Sequence, residues 1–128
     1  MKQWLLIGLL SLVVVQSKAD EATIVDVVFQ KTSTSMWRVD TTLRHTDTGW
    51  EHYADAWRVV DTDGNELGIR ILLHPHVNEQ PFTRSVQLTI PESVIKVFVE
   101  ARDKVHGWNR DRVAVDLLAD KGERFVVR

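Results

Sequence analysis

The chain has 128 residues, of which 44% are hydrophobic and 27% are charged, and it contains no cysteine. Its 16 basic and 18 acidic side chains give a net charge of −2. A negative net charge argues against a protein that binds nucleic acid or an anionic membrane surface, because both need positive charge. The composition is that of an ordinary folded protein, and the length is sufficient for one domain without disulfide bonds.

The first nineteen residues have the features of a secretory signal peptide. Lys2 supplies a basic tip, residues 4–15 form an apolar run, and the segment ends in small residues at Ala19. The run is shorter than the roughly twenty apolar residues that a membrane span needs. The sequence therefore predicts a signal peptide over residues 1–19 and a single domain over residues 20–128. We expect a periplasmic or secreted protein with no membrane association after cleavage.

Beyond the signal peptide, apolar and polar residues alternate with a period of two, which is the pattern of a β-strand with one buried face. Turn signals separate these segments, and no segment has three turns of helical spacing. The predicted inward rows are, in chain order, Val25, Val27 and Phe29; Trp37, Val39, Thr41 and Leu43; Trp57 and Val59; Leu67, Ile69, Ile71 and Leu73; Val86, Leu88 and Ile90; the apolar run of residues 94–101; and Val113, Val115 and Leu117.

About seven such strands joined by short loops predict an all-β fold, an antiparallel sandwich of the immunoglobulin or fibronectin type. A small barrel is the alternative architecture. Pro75 and Pro81 bracket an irregular stretch, because proline is not accommodated in a central strand. We expect Trp37 and Trp57 to pack in the core between the two sheets.

The histidines of the mature chain are predicted to lie at one end of the sandwich. When strands run alternately up and down, every second loop lies at the same end, and loops at one end of a rigid sandwich often form binding sites. Because His45 continues the inward row that precedes it, we expect it to cap the core. The loops after the second, fourth and sixth strands contain all five histidines: His45, His52, His74, His76 and His106.

The segment around Pro75 has the spacing of a metal-binding pair. Proline keeps the segment out of a helix, and side chains two residues apart in extended backbone project to the same side. Imidazole binds Zn²⁺ and Cu²⁺ well. The predicted metal site therefore contains His74 and His76, completed by His106 or His52. The structural alternative is a loop corner in which the ring nitrogens bind backbone carbonyls.

Aromatic and charged side chains near the same loops predict an interaction surface, because tryptophan, tyrosine and arginine are the usual anchors of such surfaces. We expect Arg84 to pair with an acid such as Glu79 or Glu51, since a partly buried arginine needs a partner. No nucleophile motif, phosphate-binding glycine loop or dinucleotide fingerprint occurs, so no enzyme is predicted. The predicted interaction residues are Trp50, Tyr53, Glu79, Arg84 and Trp108.

The segment of residues 74–85, HPHVNEQPFTRS, resembles a family of small exported bacterial proteins. Residues 57–68 and 101–107 are similar to the same family, and the resemblance extends over roughly residues 24–118. It implies a secreted β-sandwich. Because the activity of that family is uncharacterised, the resemblance implies no catalytic or binding residues.

Two functions are compatible with these features. The first, slightly favoured, is an exported non-enzymatic module that binds a protein or small ligand through the loops at one end of the sandwich. The alternative is a periplasmic protein that binds Cu²⁺ or Zn²⁺ through the histidines of the same end.

Overall fold

The computed structural model describes residues 21–128, and over that range the chain consists of β-strands joined by turns and loops. The predicted all-β fold is therefore confirmed, while the predicted signal peptide lies outside the described residues. Within the described range, no helix has the length and apolar character needed to cross a membrane. The strands are β1 (Thr23–Lys31), β2 (Met36–Arg44), β3 (Ala54–Asp61), β4 (Glu66–Ile71), β5 (Phe82–Thr89), β6 (Lys96–Asp103), β7 (Gly107–Trp108), β8 (Val113–Asp116), β9 (Lys121–Gly122) and β10 (Phe125–Val127).

The strands form two sheets that face each other. The first sheet has the order β5-β2-β1-β10-β9, and the second runs β4-β3-β6-β7 with β8 also paired to β6. Neighbouring strands are antiparallel except β1 and β10, which are parallel. The count exceeds the expected seven because β7, β9 and β10 are only two or three residues long. The structure is thus sandwich-like, and the immunoglobulin or fibronectin type stays a prediction.

Side chains from both sheets fill a single core. Trp57 is fully buried and Trp37 is 7% exposed, which confirms that both tryptophans pack between the sheets. The ring of Trp37 meets that of Phe29 edge to face, with 6.2 Å between their centroids, an arrangement that aromatic pairs favour. Leu43, at the end of the clearest predicted row, is also fully buried.

The predicted inward row of the first strand is wrong at its beginning. A β-bulge between Ile24 and Asp26 shifts the pairing of β1 with β2. Because a bulge inserts one residue into the strand, Ile24 and Val27 are both buried while Val25 between them is only half-buried. An inserted residue exchanges the buried and exposed positions on one side of the bulge. A single sequence does not reveal where such a bulge occurs.

The predicted inward row of the fourth strand is also wrong at its end. Ile71 is 47% exposed and Leu73 is 76% exposed, whereas Leu72 between them is buried in the core. Strand β4 lies at the edge of its sheet and stops at Ile71. The backbone N–H of Leu72 then donates to the carbonyl of Asp55 at 2.9 Å, which directs Leu72 inward as the next loop begins.

We expect Leu43→Ala to lower the free energy of unfolding by about 2–5 kcal/mol, because it leaves a cavity in the core. The matched control is Leu118→Ala, since Leu118 is 75% exposed and its truncation should change stability by no more than about 0.5 kcal/mol. Urea unfolding of both variants measures the difference. Equal losses would contradict the assignment of Leu43 to the core.

Candidate functional site

Three loops meet at one end of the sandwich, and we call their surface the histidine end. Consecutive long strands run in opposite directions, so the loops that follow β2, β4 and β6 emerge at the same end. They comprise residues 45–53, 72–81 and 104–106, and together they contain His45, His52, His74, His76 and His106.

Contacts among the five imidazole rings confirm that they share this end. The ring of His52 lies 4.8 Å from that of His45 and 5.4 Å from that of His106, measured between centroids. The rings of His74 and His76 lie 4.5 Å apart. A buried carboxylate joins these two groups, as its hydrogen bonds show.

That carboxylate belongs to Asp47, whose side chain is fully buried. Its Oδ1 lies 2.5 Å from His45 Nδ1 and accepts the backbone N–H of Ala54 at 3.0 Å. Its Oδ2 accepts the backbone N–H of His76 at 2.7 Å. Asp47 therefore ties the first and second histidine loops together. Asp47 was not among the residues predicted from the sequence, because nothing in its local sequence signals the long-range contact.

A second buried carboxylate, Asp103, organises the third loop. Its Oδ1 accepts the backbone N–H groups of Val105 and His106 at 2.9 and 2.8 Å. The same oxygen lies 2.9 Å from His106 Nδ1 and 3.2 Å from His52 Nε2. Burial opposes its ionisation, but the hydrogen bonds from His106 and Val105 hold the pKa of Asp103 below its ordinary value. Asp103 is therefore an ionised carboxylate at neutral pH.

The other oxygen of Asp103 is unusual. Its Oδ2 is buried and has no hydrogen-bond partner in the structure of residues 21–128. Leaving a buried polar atom unpaired costs about 1–3 kcal/mol, and more when the group is charged. An ionised carboxylate with one unpaired buried oxygen is therefore a position at which a ligand would stabilise the protein.

His45, His52 and Asp103 form a compact group of potential metal ligands. One ligand atom from each lies within 4.8 Å of the other two, and no other group of three or more among residues 21–128 meets that spacing. His45 and Asp103 are buried, whereas the His52 side chain is 16% exposed. Of the four residues predicted from the sequence to bind metal, only His52 belongs to this group.

His76 has a different environment. Its ring stacks on Phe82 with 3.9 Å between centroids, and its Nε2 lies 2.8 Å from Nη2 of Arg84. Burial above all, and then the charge of Arg84, lowers the pKa of His76, so the neutral ring accepts the guanidinium hydrogen bond. That bond occupies the lone pair a metal would need. The exposed His74 lies beside it, and neither belongs to the compact group.

The expectation that Arg84 pairs with an acid is wrong for the described residues. Its guanidinium donates to His76 Nε2 and to the carbonyl of Thr83, both at 2.8 Å, and no carboxylate lies within ion-pair distance. A neutral imidazole, whose Nε2 is an acceptor, takes the place of the expected carboxylate. Glu79 lies exposed in the same loop.

The predicted aromatic anchors separate into two places. Trp50 is 62% exposed at the histidine end, and its ring meets Tyr53 edge to face at 5.8 Å. Trp108 instead lies in β7, where the guanidinium of Arg58 covers its ring at 3.8 Å and that of Arg102 lies at 5.0 Å. Trp108 is therefore half-buried against two arginines, while Trp50 presents its ring to solvent.

A groove of about 410 Å³ is located away from the histidines. Trp37, Ile90 and Leu117 are among the apolar residues that line it, and Lys31 and Glu92 also contribute. An apolar concavity is often a binding site when several polar groups converge in it. This groove has no buried polar atom without a partner among its lining residues, so the histidine end is the stronger candidate.

Comparison with known proteins gives one informative match. No family model matches the chain. Over 96 residues it is 40% identical to a protein of Halomicrobium mukohataei named "Putative lipoprotein". The matched region covers 75% of this chain and 47% of that protein, so the chain spans about half the length of the curated relative it matches.

We expect Asp47→Asn to destabilise the protein by about 1–3 kcal/mol. The amide NH₂ group of asparagine would face a buried N–H group that now donates to a carboxylate oxygen, and that N–H group would lose its acceptor. Asp26→Asn is the matched control, since Asp26 is exposed on β1. Thermal and urea unfolding measure both variants. If Asp47→Asn matched Asp26→Asn, Asp47 would not be holding the loops together.

We also expect His76 to make the protein less stable in acid. Its pKa is lowered in the folded state, whereas an unfolded histidine titrates near about 6.5. The unfolded state therefore binds more protons as the pH falls through that value, and stability falls with it. His76→Gln should lose less stability than wild type between pH 7 and pH 5 in urea unfolding.

The control for the pH experiment is His74→Gln. Because burial, rather than the charge of His74, is the main cause of the lowered pKa of His76, this variant should keep most of the wild-type loss of stability in acid. A pH dependence that His76→Gln left unchanged would contradict the interpretation.

Proposed function

We propose that the protein is an exported binding module that engages a protein partner through the histidine end. Export is supported by the signal peptide predicted over residues 1–19 and by the similarity to a protein named as a lipoprotein. The name of that relative supports a location outside the cytoplasm. It does not extend to lipid attachment through a cysteine, because this chain has no cysteine.

The observation that carries this proposal is the exposed apolar rim of the histidine end. Among residues 21–128, eight large hydrophobic side chains are exposed, and four of them lie in the three histidine loops. Clustered exposed apolar side chains with polar neighbours are typical of interaction sites. The four are Trp50 at 62%, Leu73 at 76%, Val77 at 53% and Val105 at 61% exposure, and we refer to them as the rim.

The loops beneath the rim are held in place before any partner binds. Asp47 connects the first two histidine loops, and Asp103 connects the first and third through His52 and His106. Lys104 adds a further link, because its Nζ donates to the carbonyl of Trp50 at 2.7 Å. Loops that are already ordered lose little conformational entropy on binding, which favours affinity.

Trp50 is the expected anchor of the interface. Tryptophan is enriched among the residues that contribute most to binding energy, and this ring has an exposed face and a supporting contact with Tyr53. Of the predicted interaction residues, the proposal keeps Trp50, Tyr53 and the exposed Glu79. It gives less weight to Arg84 and Trp108, because both make internal contacts.

The proposal is tested by partner capture with Trp50→Ala. Removal of a central tryptophan anchor costs about 2 kcal/mol or more, which corresponds to roughly a 30-fold loss of affinity. The tagged mature protein is used to capture partners from the envelope fraction of the source organism, and the affinity for any captured protein is then measured by biolayer interferometry.

Leu118→Ala is the matched control for partner capture, because Leu118 is also largely exposed, at 75%, but lies in the segment after β8. The proposal expects loss of binding with Trp50→Ala and wild-type binding with Leu118→Ala. Equal binding by all three proteins, or loss with Leu118→Ala alone, would remove the histidine end as the interface.

A further inference from the structure

We infer that the histidine end contains a site for one divalent transition-metal ion, with His45, His52 and Asp103 as its ligands. The inference and the proposed function both concern the histidine end. The proposed metal ligands, however, are different residues from those of the rim. The set also differs from the one expected from the sequence, in which His74 and His76 were the central pair.

The spacing of the three side chains suits a single ion. Their ligand atoms lie within 4.8 Å of one another. Zinc bonds to nitrogen and oxygen are about 2.0–2.2 Å long, so ligand atoms around a tetrahedral ion lie roughly 3.3–3.5 Å apart. The ligand atoms would therefore have to approach one another by up to about 1.4 Å to surround one tetrahedral ion.

Asp103 supplies the observation that points to a bound cation. It is a fully buried carboxylate, and its Oδ2 has no partner among the described residues. Buried charges in proteins are usually paired or coordinate a metal. A cation at Oδ2 would supply the missing partner, while Oδ1 keeps its hydrogen bonds from the backbone of residues 105 and 106.

Asp47 gives His45 the orientation of a metal ligand. The Nδ1 atom of His45 faces Asp47 Oδ1 at 2.5 Å, so Nε2 is the ring nitrogen with which His45 would bind the ion. Metal-binding histidines commonly donate their other N–H to a carboxylate in this way, which fixes the ring and raises its basicity. Asp47 is itself held by the N–H groups of Ala54 and His76.

His52 and His106 then have different roles. His52 Nε2 lies 3.2 Å from Asp103 Oδ1, so its ring is next to the carboxylate, and it would turn its Nε2 lone pair from Oδ1 to a cation held at Oδ2. His106 Nδ1 binds Asp103 Oδ1 at 2.9 Å and orients the carboxylate. His106 is therefore a positioning residue in this site, where the sequence suggested a ligand.

The ligand set selects the kind of ion. Two imidazoles with one carboxylate suit Zn²⁺ or Cu²⁺, whereas Ca²⁺ and Mg²⁺ prefer sets made entirely of oxygen. Three protein ligands also leave at least one coordination position for water or another ligand. Because the His52 side chain is 16% exposed while those of His45 and Asp103 are fully buried, the ion would be reached from the His52 side.

Isothermal titration calorimetry with ZnCl₂ and with CuSO₄ tests the site in the mature protein after removal of metal by EDTA and dialysis. The wild type should bind one ion. His52→Ala and Asp103→Asn should each weaken binding by at least 10–100-fold, which is the loss that even outer-shell partners cause. His74→Ala should bind like the wild type and serves as the matched control.

A measurement on the wild type alone guards against variants that fail to fold. In ¹H–¹⁵N spectra of the imidazole rings, one equivalent of Zn²⁺ should shift the ring nitrogens of His45 and His52 and leave those of His74 nearly unchanged. No binding of either ion by the wild type would overturn the inference. Binding that is lost in His74→Ala and kept in His52→Ala would overturn this ligand set.

The two proposals fail separately. If no ion binds but partner capture still depends on Trp50, the metal site falls and the interaction module stands. If an ion binds as described and Trp50→Ala captures partners like the wild type, the interaction module falls and the metal site stands.

Discussion

Two buried carboxylates determine the arrangement of the histidine end. Asp47 and Asp103 are both fully buried, and each combines hydrogen bonds from nearby residues with one contact to a residue that is distant in sequence. A buried carboxylate must be paired or hydrogen-bonded, because the cost of removing its charge from water is otherwise not recovered. Separation of the first two histidine loops is therefore unfavourable, since it would remove the backbone donor of Asp47 Oδ2.

The all-β fold was largely predictable from the sequence, because the pattern that indicates a half-buried strand lies within a single short segment. Alternation of apolar residues in a segment such as Trp37 to Leu43 follows directly from burial of one strand face, and that segment is buried as expected. The failures at Val25 and Leu73 have a different origin. A β-bulge and the end of an edge strand depend on the partner strand, so the residues of one strand carry no sign of them.

The candidate site was predictable in location but not in composition. Counting strands was enough to bring five histidines to one end, because loop position follows from strand direction alone. Which of the five histidines could bind a metal depends on the side chains that contact each ring. His76 lies against Arg84 and Phe82, whereas His45 lies against Asp47. These contacts form only when the loops fold, and the short spacing of His74 and His76 gave no information about them.

The position of His45 in the strand pattern explains why the inferred metal site includes it. His45 continues the inward row of β2, so its ring enters the end of the core, where Asp47 and His52 meet it. That burial was interpreted from sequence as a purely structural role. Burial and ligation are nevertheless compatible, because a metal ligand needs a fixed ring and an oriented tautomer, and a buried carboxylate partner supplies both. The same contact with Asp47 that holds the ring at the end of the core thus also fixes its orientation beside His52 and Asp103.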